Sequence, residues 1–294
     1  AVAHAGAALD PWGRPYAPAH GDPAAPGAAA SPPVVGGPSG YGVPVPPTGA
    51  DPAVSPRWGM GEVGIGFLLY LGAQVVAGIA LVVVLAATGR LEEATTADDV
   101  TSEVGLLSLL IGAPVAWVVL FGWPWWVARR KGSGSIVSDF GWGIRWLDVA
   151  KGVGGGVAAI VASVVAGLAF QQIFGHEAPT NTDIIPSEGV GAALGVAVFF
   201  VIAVGTPVAE EMFFRGLAMG ALRKRWGTPV AVVASSAIFG AAHVQPDLAA
   251  WAYVGAVTGS YGVVFALLRV WTQGRLAAPI VAMFKRFLRW AARQ

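Results

Sequence analysis

Residues 190–222 read VGAALGVAVFFVIAVGTPVAEEMFFRGLAMGAL. A helix crossing a bilayer needs about 20 mostly apolar residues, and this run is long enough. It is also interrupted by Glu210, Glu211 and Arg215. An ionisable group at the bilayer centre costs about 2.5–3.5 kcal/mol on insertion scales, so such groups pair, face the bundle interior or serve a function. Glu211 and Arg215 are four residues apart, share a helix face and can neutralise each other. Glu210 projects about 100° away from Glu211 and needs a different reason to be there.

The rest of the chain has the same character. Of its 294 residues 55% are hydrophobic and 12% charged, against about 25% charged in soluble domains. Mean hydropathy is +0.64. Apolar runs at 64–87, 104–128, 148–173, 228–244 and 248–269 join 190–222 to predict six spans. Pro114 and Pro124 in the second are tolerable where neighbouring helices shield the backbone. Pro207 is expected to bend the fourth. Gly154, Gly155 and Gly156 in the third allow close helix contact. A last run, 276–288, is short and meets Lys285 and Arg286. The expected fold is therefore all-α: a polytopic transmembrane bundle of six spans plus a short or surface-lying C-terminal helix.

Residues 1–57 are rich in Pro, Ala and Gly and lack an apolar period. Such a segment buries too little surface to offset its ordering entropy, so a disordered tail is expected there, with the transmembrane domain over 58–294. The tail has no apolar h-region and does not read as a signal peptide. Arg129, Arg130, Lys131 and Arg145 follow the second span, and Arg223, Lys224 and Arg225 the fourth. By the positive-inside rule both loops are cytoplasmic. The mostly acidic loops 90–103 and 175–188 then lie outside, and the N-terminus lies in the cytoplasm. An integral protein of a bacterial plasma membrane is expected. The basic tail Lys285, Arg286, Arg289, Arg293 suits a surface amphipathic helix on the cytoplasmic side. Trp123, Trp125, Trp126, Trp142 and Trp146 read as an interfacial aromatic belt.

His243 gives Glu210 a candidate partner. The turn Arg225-Trp226-Gly227-Thr228 is short, so the spans on either side are antiparallel neighbours. Counted from that turn at 1.5 Å per residue, Glu210 and His243 lie at depths of roughly 20 and 23 Å. Phe239 shares the face of His243. A carboxylate beside an imidazole in a low-dielectric site can activate water for hydrolysis, or hold a metal that does so. A buried hydrogen bond that only stabilises the bundle is the third option. The cofactor is open, a divalent metal such as zinc on Glu210 and His243 being the candidate. The chain has no cysteine, which excludes disulfides and thiolate chemistry. There is no phosphate-binding glycine loop, and the basic residues sit at membrane edges, so neither a nucleotide nor a nucleic acid is an expected partner. His176, Glu177, Asp183 and Glu188 read as a solvated acidic loop.

Glu210-Glu211-x-x-x-Arg215 followed by Phe239-x-x-x-His243 resembles the first two motifs of the CPBP intramembrane proteases. This is the group of CAAX-prenyl-protease and bacteriocin-processing type, also called the ABI family. Phe214-Arg215-Gly216-Leu217, Arg225-Trp226-Gly227 and Ser235-Ser236-Ala237-Ile238-Phe239-Gly240 are similar too. Asp139-Phe140-Gly141, Arg145 and Asp148 form a weaker echo. The resemblance covers about residues 139–282 and is most specific over 207–243. It implies that Glu210 activates water with help from His243, that Glu211 and Arg215 support the site, and that the substrate is a peptide or a membrane protein. It also implies a third motif, His-x-x-x-Asn or similar. Residues 274–282 resemble its lead-in, but Met283-Phe284-Lys285 stands where the His and its followers would be, and no His or Asn follows His243. Gln245, Tyr253, Thr258, Ser260, Tyr261 and Gln273 are the polar residues that could stand in as donors.

The expected activity is intramembrane endopeptidase chemistry. A catalytically inactive relative that binds or protects a membrane or peptide partner is the alternative. A transporter or proton pathway through Glu210, Glu211 and Arg215 is a second; paired broken helices would mark it, and the sequence has one bent span.

Overall fold

The structure, a computed structural model, describes residues 57–89, 105, 107–175, 192–243 and 248–283. Residues 1–56, most of the two acidic loops, Gln245 and the basic tail from residue 284 lie outside the described residues. Among the described residues regular structure is helical throughout. In chain order the elements are α1 (Met60–Ala87), π1 (Ser108–Gly112), α2 (Ala113–Lys131), α3 (Ile136–Phe140), α4 (Trp146–Phe174) and α5 (Ala192–Phe199). They continue with π2 (Phe200–Gly205), α6 (Thr206–Glu210), π3 (Glu211–Ala218), α7 (Met219–Ala241), α8 (Leu248–Trp271) and α9 (Ala277–Met283).

Among the described residues five stretches are long and apolar enough to cross a membrane: Met60–Ala87, Ser108–Lys131, Trp146–Phe174, Leu194–Ala241 and Leu248–Trp271. The protein is a helical bundle of the integral membrane type. The fourth stretch is 48 residues long. At 1.5 Å per residue it would reach about 72 Å, over twice the hydrocarbon thickness. It does not run straight, because Gly227 adopts φ 80° and ψ 175° and breaks α7. Glu210 faces His243, Phe214 packs edge-on to Phe239 at 5.1 Å, and Leu222 clusters with Ala231. All three pairs are centred between Trp226 and Gly227, which defines an antiparallel hairpin. The two predicted spans, 190–222 and 228–244, are its arms.

This hairpin is the middle of the bundle. Of its apolar window 56% is buried inside the protein, against 17% for α1, whose Leu68, Val75, Val76, Ile79 and Val83 face outward. Small residues let the neighbours close in. A Cβ at Gly152 would sit 2.6 Å from Val281, and Gly155 abuts Leu268. Gly156 abuts Ala282, while Gly154 has nothing within 4 Å. The predicted glycine contact on α4 therefore uses Gly152, Gly155 and Gly156. Gly240 of α7 lies directly against the Gly255 carbonyl of α8. The described part of the seventh apolar run, α9, packs inside the bundle, with Ala278, Ala282 and Met283 fully buried.

Pro207 has no N–H to donate to a preceding turn. The helix responds by widening: π2 and π3 flank the single α turn Thr206–Glu210. Wide turns of this kind are frequent at functional sites, and the Glu210–Glu211 step falls on the boundary between α6 and π3.

Candidate active site

The end of the bundle that holds the Gly227 turn is built from basic and aromatic side chains. The Lys131 ammonium donates to Glu62 at 2.5 Å, and the Trp123 indole donates to the Glu62 carbonyl at 2.8 Å. Trp58 is buried, with its ring 5.3 Å from Phe140. Lys224 lies over that ring and donates to the Trp58 carbonyl at 2.9 Å. Trp123 stacks on Trp126 at 4.9 Å. The weaker sequence echo also resolves into structure here. Both Asp139 oxygens accept from the Ser133 amide. Gly141 takes φ 68° to end α3, and its carbonyl accepts from Leu276 N. Asp148 accepts from the Arg145 amide and grips Arg275 through two bonds, 2.6 and 2.9 Å. These contacts fix the lead-in to α9 against the start of α4.

Deeper in the bundle Glu211 and Arg215 meet as predicted, with Arg215 Nη1 3.0 Å from Glu211 Oε1 and both side chains fully buried. Arg215 Nη2 also donates to the Gly262 carbonyl at 3.0 Å. Its guanidinium lies over Phe239 at 4.2 Å and Phe265 at 5.4 Å. One buried cation thus ties π3 to α7 and α8 by charge, hydrogen bond and ring face.

Glu210 and His243 also meet. His243 Nε2 lies 3.9 Å from Glu210 Oε1, with 12% and 11% of the two side chains exposed. The other ring nitrogen, Nδ1, is 2.8 Å from the Phe239 carbonyl. A carbonyl only accepts, so Nδ1 carries the proton. In the neutral ring Nε2 then presents a lone pair toward Glu210. A gap of 3.9 Å is too long for a direct hydrogen bond; a water about 2.8 Å from each group would sit to one side of the line that joins them.

Among the described residues no group of three His, Cys, Asp or Glu side chains could hold a metal ion. Glu211, the third candidate ligand, is committed to Arg215. Catalytic zinc takes three protein ligands, and a Glu–His pair falls short of that.

Of the stand-in donors, Thr258 and Ser260 donate back to their own helix, to the carbonyls of Val254 and Val257. Tyr253 packs on Phe170 beside Gly167, and Gln273 lies in the turn after α8 with φ 54°. Tyr261 is the one packed beside Phe239, at 6.3 Å. Met283, where the resemblance would put the third-motif His, is fully buried in the same apolar cluster as Ala209. A residue the sequence reading passed over is Tyr70 of α1. The Glu210 carboxylate acts on its hydroxyl through space. The signal was present: Gly66, Tyr70 and Gln74 form a stripe of small and polar residues, spaced by four, on an otherwise apolar helix.

Residues 192–284 match the family model described as Rce1-like, type II CAAX prenyl endopeptidase Rce1-like. The match takes in about a third of the chain and contains Glu210, Glu211, Arg215, His243 and Met283. That segment is thus similar to the Rce1-like endopeptidases of the CPBP family. No curated protein and no solved structure matched it.

Proposed function

We propose that this protein is an intramembrane endopeptidase in which Glu210 activates a water molecule for attack on a peptide bond. The observation that carries the proposal is the 3.9 Å gap between Glu210 Oε1 and a His243 Nε2 whose lone pair is aimed by the Phe239 carbonyl. Water held between the two gives a proton to the Glu210 carboxylate. Its oxygen bonds to the scissile carbonyl carbon, and the carbonyl π pair moves onto the carbonyl oxygen. When the tetrahedral centre collapses, the C–N bond breaks and the amine leaves with the proton from Glu210. His243 orients the water. Glu211 and Arg215 hold the level of π3 against α7 and α8.

The substrates that fit are peptides or membrane proteins presented from the bilayer, and prenylated C-terminal peptides are the class named by the matching family. We read the basic end of the bundle as cytoplasmic by the positive-inside rule, with the N-terminus on the same side of a bacterial plasma membrane. The test is cleavage of quenched fluorescent peptides, farnesylated and plain, by purified protein in lipid nanodiscs. Glu210→Ala and His243→Ala run alongside. Loss of cleavage in both variants is the expected result; equal turnover by all three proteins rejects the roles assigned here.

Buried Met283 favours a second reading. At that position an apolar side chain supplies no donor for a developing oxyanion, and a relative that binds a membrane peptide without cutting it would tolerate this. A peptide retained by wild type and by Glu210→Ala alike, with no product, would establish the binding protein instead.

A further inference from the structure

An acyl-transfer site needs a donor for the developing oxyanion, and the segment that matches the family lacks the His and Asn that would supply one. We infer that Tyr70 of α1 supplies this donor, its phenol hydroxyl facing the scissile carbonyl oxygen across from Glu210. The inference rests on the peptidase reading above.

Two contacts fix the register of α1 on the hairpin. A Cβ on Gly220 would lie 2.7 Å from the Trp58 ring, and one on Gly66 would lie 2.7 Å from the Phe213 ring. Moving from Trp58, just before α1, to Gly66 on it thus corresponds to moving back from Gly220 to Phe213, so the two segments run antiparallel. One further turn along α1 reaches Tyr70, and the matching step back from Phe213 reaches Ala209 and Glu210. Tyr70 shares the face of Gly66, since the two are four residues apart. That face is turned to both α2, through Trp123, and the hairpin, through Phe213, and Tyr70 packs against the main apolar cluster with Phe67.

The electrostatics agree with the register. The Glu210 carboxylate acts on the Tyr70 hydroxyl through space. A base and an oxyanion donor must flank the same carbonyl, one on the side of the attacking water and the other at the oxygen, with room for the substrate between them. A phenol hydroxyl is a donor at neutral pH. Tyr261, a buried tyrosine near the site, is on α8 next to Gly262, whose carbonyl binds Arg215, so its backbone lies at the level of Arg215.

During attack the water oxygen bonds to the carbonyl carbon, the water proton passes to Glu210, and the carbonyl oxygen becomes the oxyanion. The Tyr70 O–H donates a hydrogen bond to that oxygen without losing its proton. Removing one such donor typically lowers turnover by about 10²–10³-fold.

The experiment compares wild type, Tyr70→Phe, Tyr261→Phe and Glu210→Gln in nanodiscs, with the fluorescent peptide that wild type cleaves fastest. The expected result is a loss of kcat of about 10²–10³-fold in Tyr70→Phe with KM within about twofold, and near wild-type turnover in Tyr261→Phe. A phosphinate analogue of the same peptide, whose tetrahedral centre mimics the oxyanion, should bind Tyr70→Phe more weakly than wild type by a similar factor. The parent peptide should bind both alike. This binding arm separates lost donation from poor folding. Wild-type kcat and unchanged phosphinate binding in Tyr70→Phe, with Glu210→Gln inactive, overturns the inference and leaves the peptidase reading standing. Loss of kcat in Tyr261→Phe alone overturns it too. A wild type that cleaves none of the peptides overturns both.

Discussion

Glu210 and His243 sit at equal distances from the Trp226–Gly227 turn, on opposite arms of one hairpin, with carboxylate and imidazole 3.9 Å apart. A pair placed this way should act as one unit. Glu210→Gln keeps the shape and removes the base, so kcat should fall by about 10²–10⁴-fold, the usual contribution of a general base. Adding His243→Ala to Glu210→Gln should reduce it little further, because groups that act together are not additive. Steady-state kinetics on the three variants checks this; independent, multiplying losses would contradict it.

Glu211 and Arg215 have a different task. Both are fully buried, and removing one partner leaves a charge without its counter-ion. Glu211→Ala should destabilise the protein by about 3–5 kcal/mol. Replacing both, as Glu211→Gln with Arg215→Met, should recover a large part of that loss. Thermal unfolding in detergent reads the difference. A single variant as stable as wild type would refute the assignment.

The clamp from Asp148 to Arg275 holds α9 in place. Charge-assisted bonds contribute about 1.5–3 kcal/mol, so Asp148→Ala should lower stability by an amount of that order. In a double-mutant cycle with Arg275→Met, the coupling energy should account for most of it. Coupling near zero would mean that α9 is held by apolar packing alone.

Neighbouring glycines on α4 should respond oppositely to a methyl group. Gly154 has open space around it, whereas Gly155 abuts Leu268. Gly154→Ala should stabilise by about 0.5–1 kcal/mol through helix propensity. Gly155→Ala should destabilise by about 1–3 kcal/mol through overpacking. Unfolding midpoints of the two variants that move the same way would show that the packing of α4 has been misassigned.

The hairpin and its two carboxylates were legible in the sequence for a simple reason. Turn length and helical rise are local quantities, so the depths of Glu210 and His243 follow from counting. The pairing of Glu211 with Arg215 follows from their spacing in the same way. Widening of the helix on both sides of Pro207 was not legible, because a proline states that a bond is missing and not how the backbone compensates. Burial of α9 was hidden for a related reason. Its residues are short and apolar, and the charges after it suggested a surface, while the glycine face that receives it lies on α4. Tyr70 was missed because it belongs to the first span. Its approach to Glu210 depends on the packing of α1 against π3, which no spacing within either segment reports.

The Gly227 turn has one more consequence. Both arms are counted from it, so it works as a depth gauge. Lengthening both arms by four residues would carry Glu210 and His243 about 6 Å further from the basic end without parting them. Lengthening one arm alone would slide carboxylate past imidazole. Relatives that cut at other levels in the bilayer are therefore expected to differ by matched insertions around the turn, and a chimera built with such a pair would move the cut along the substrate.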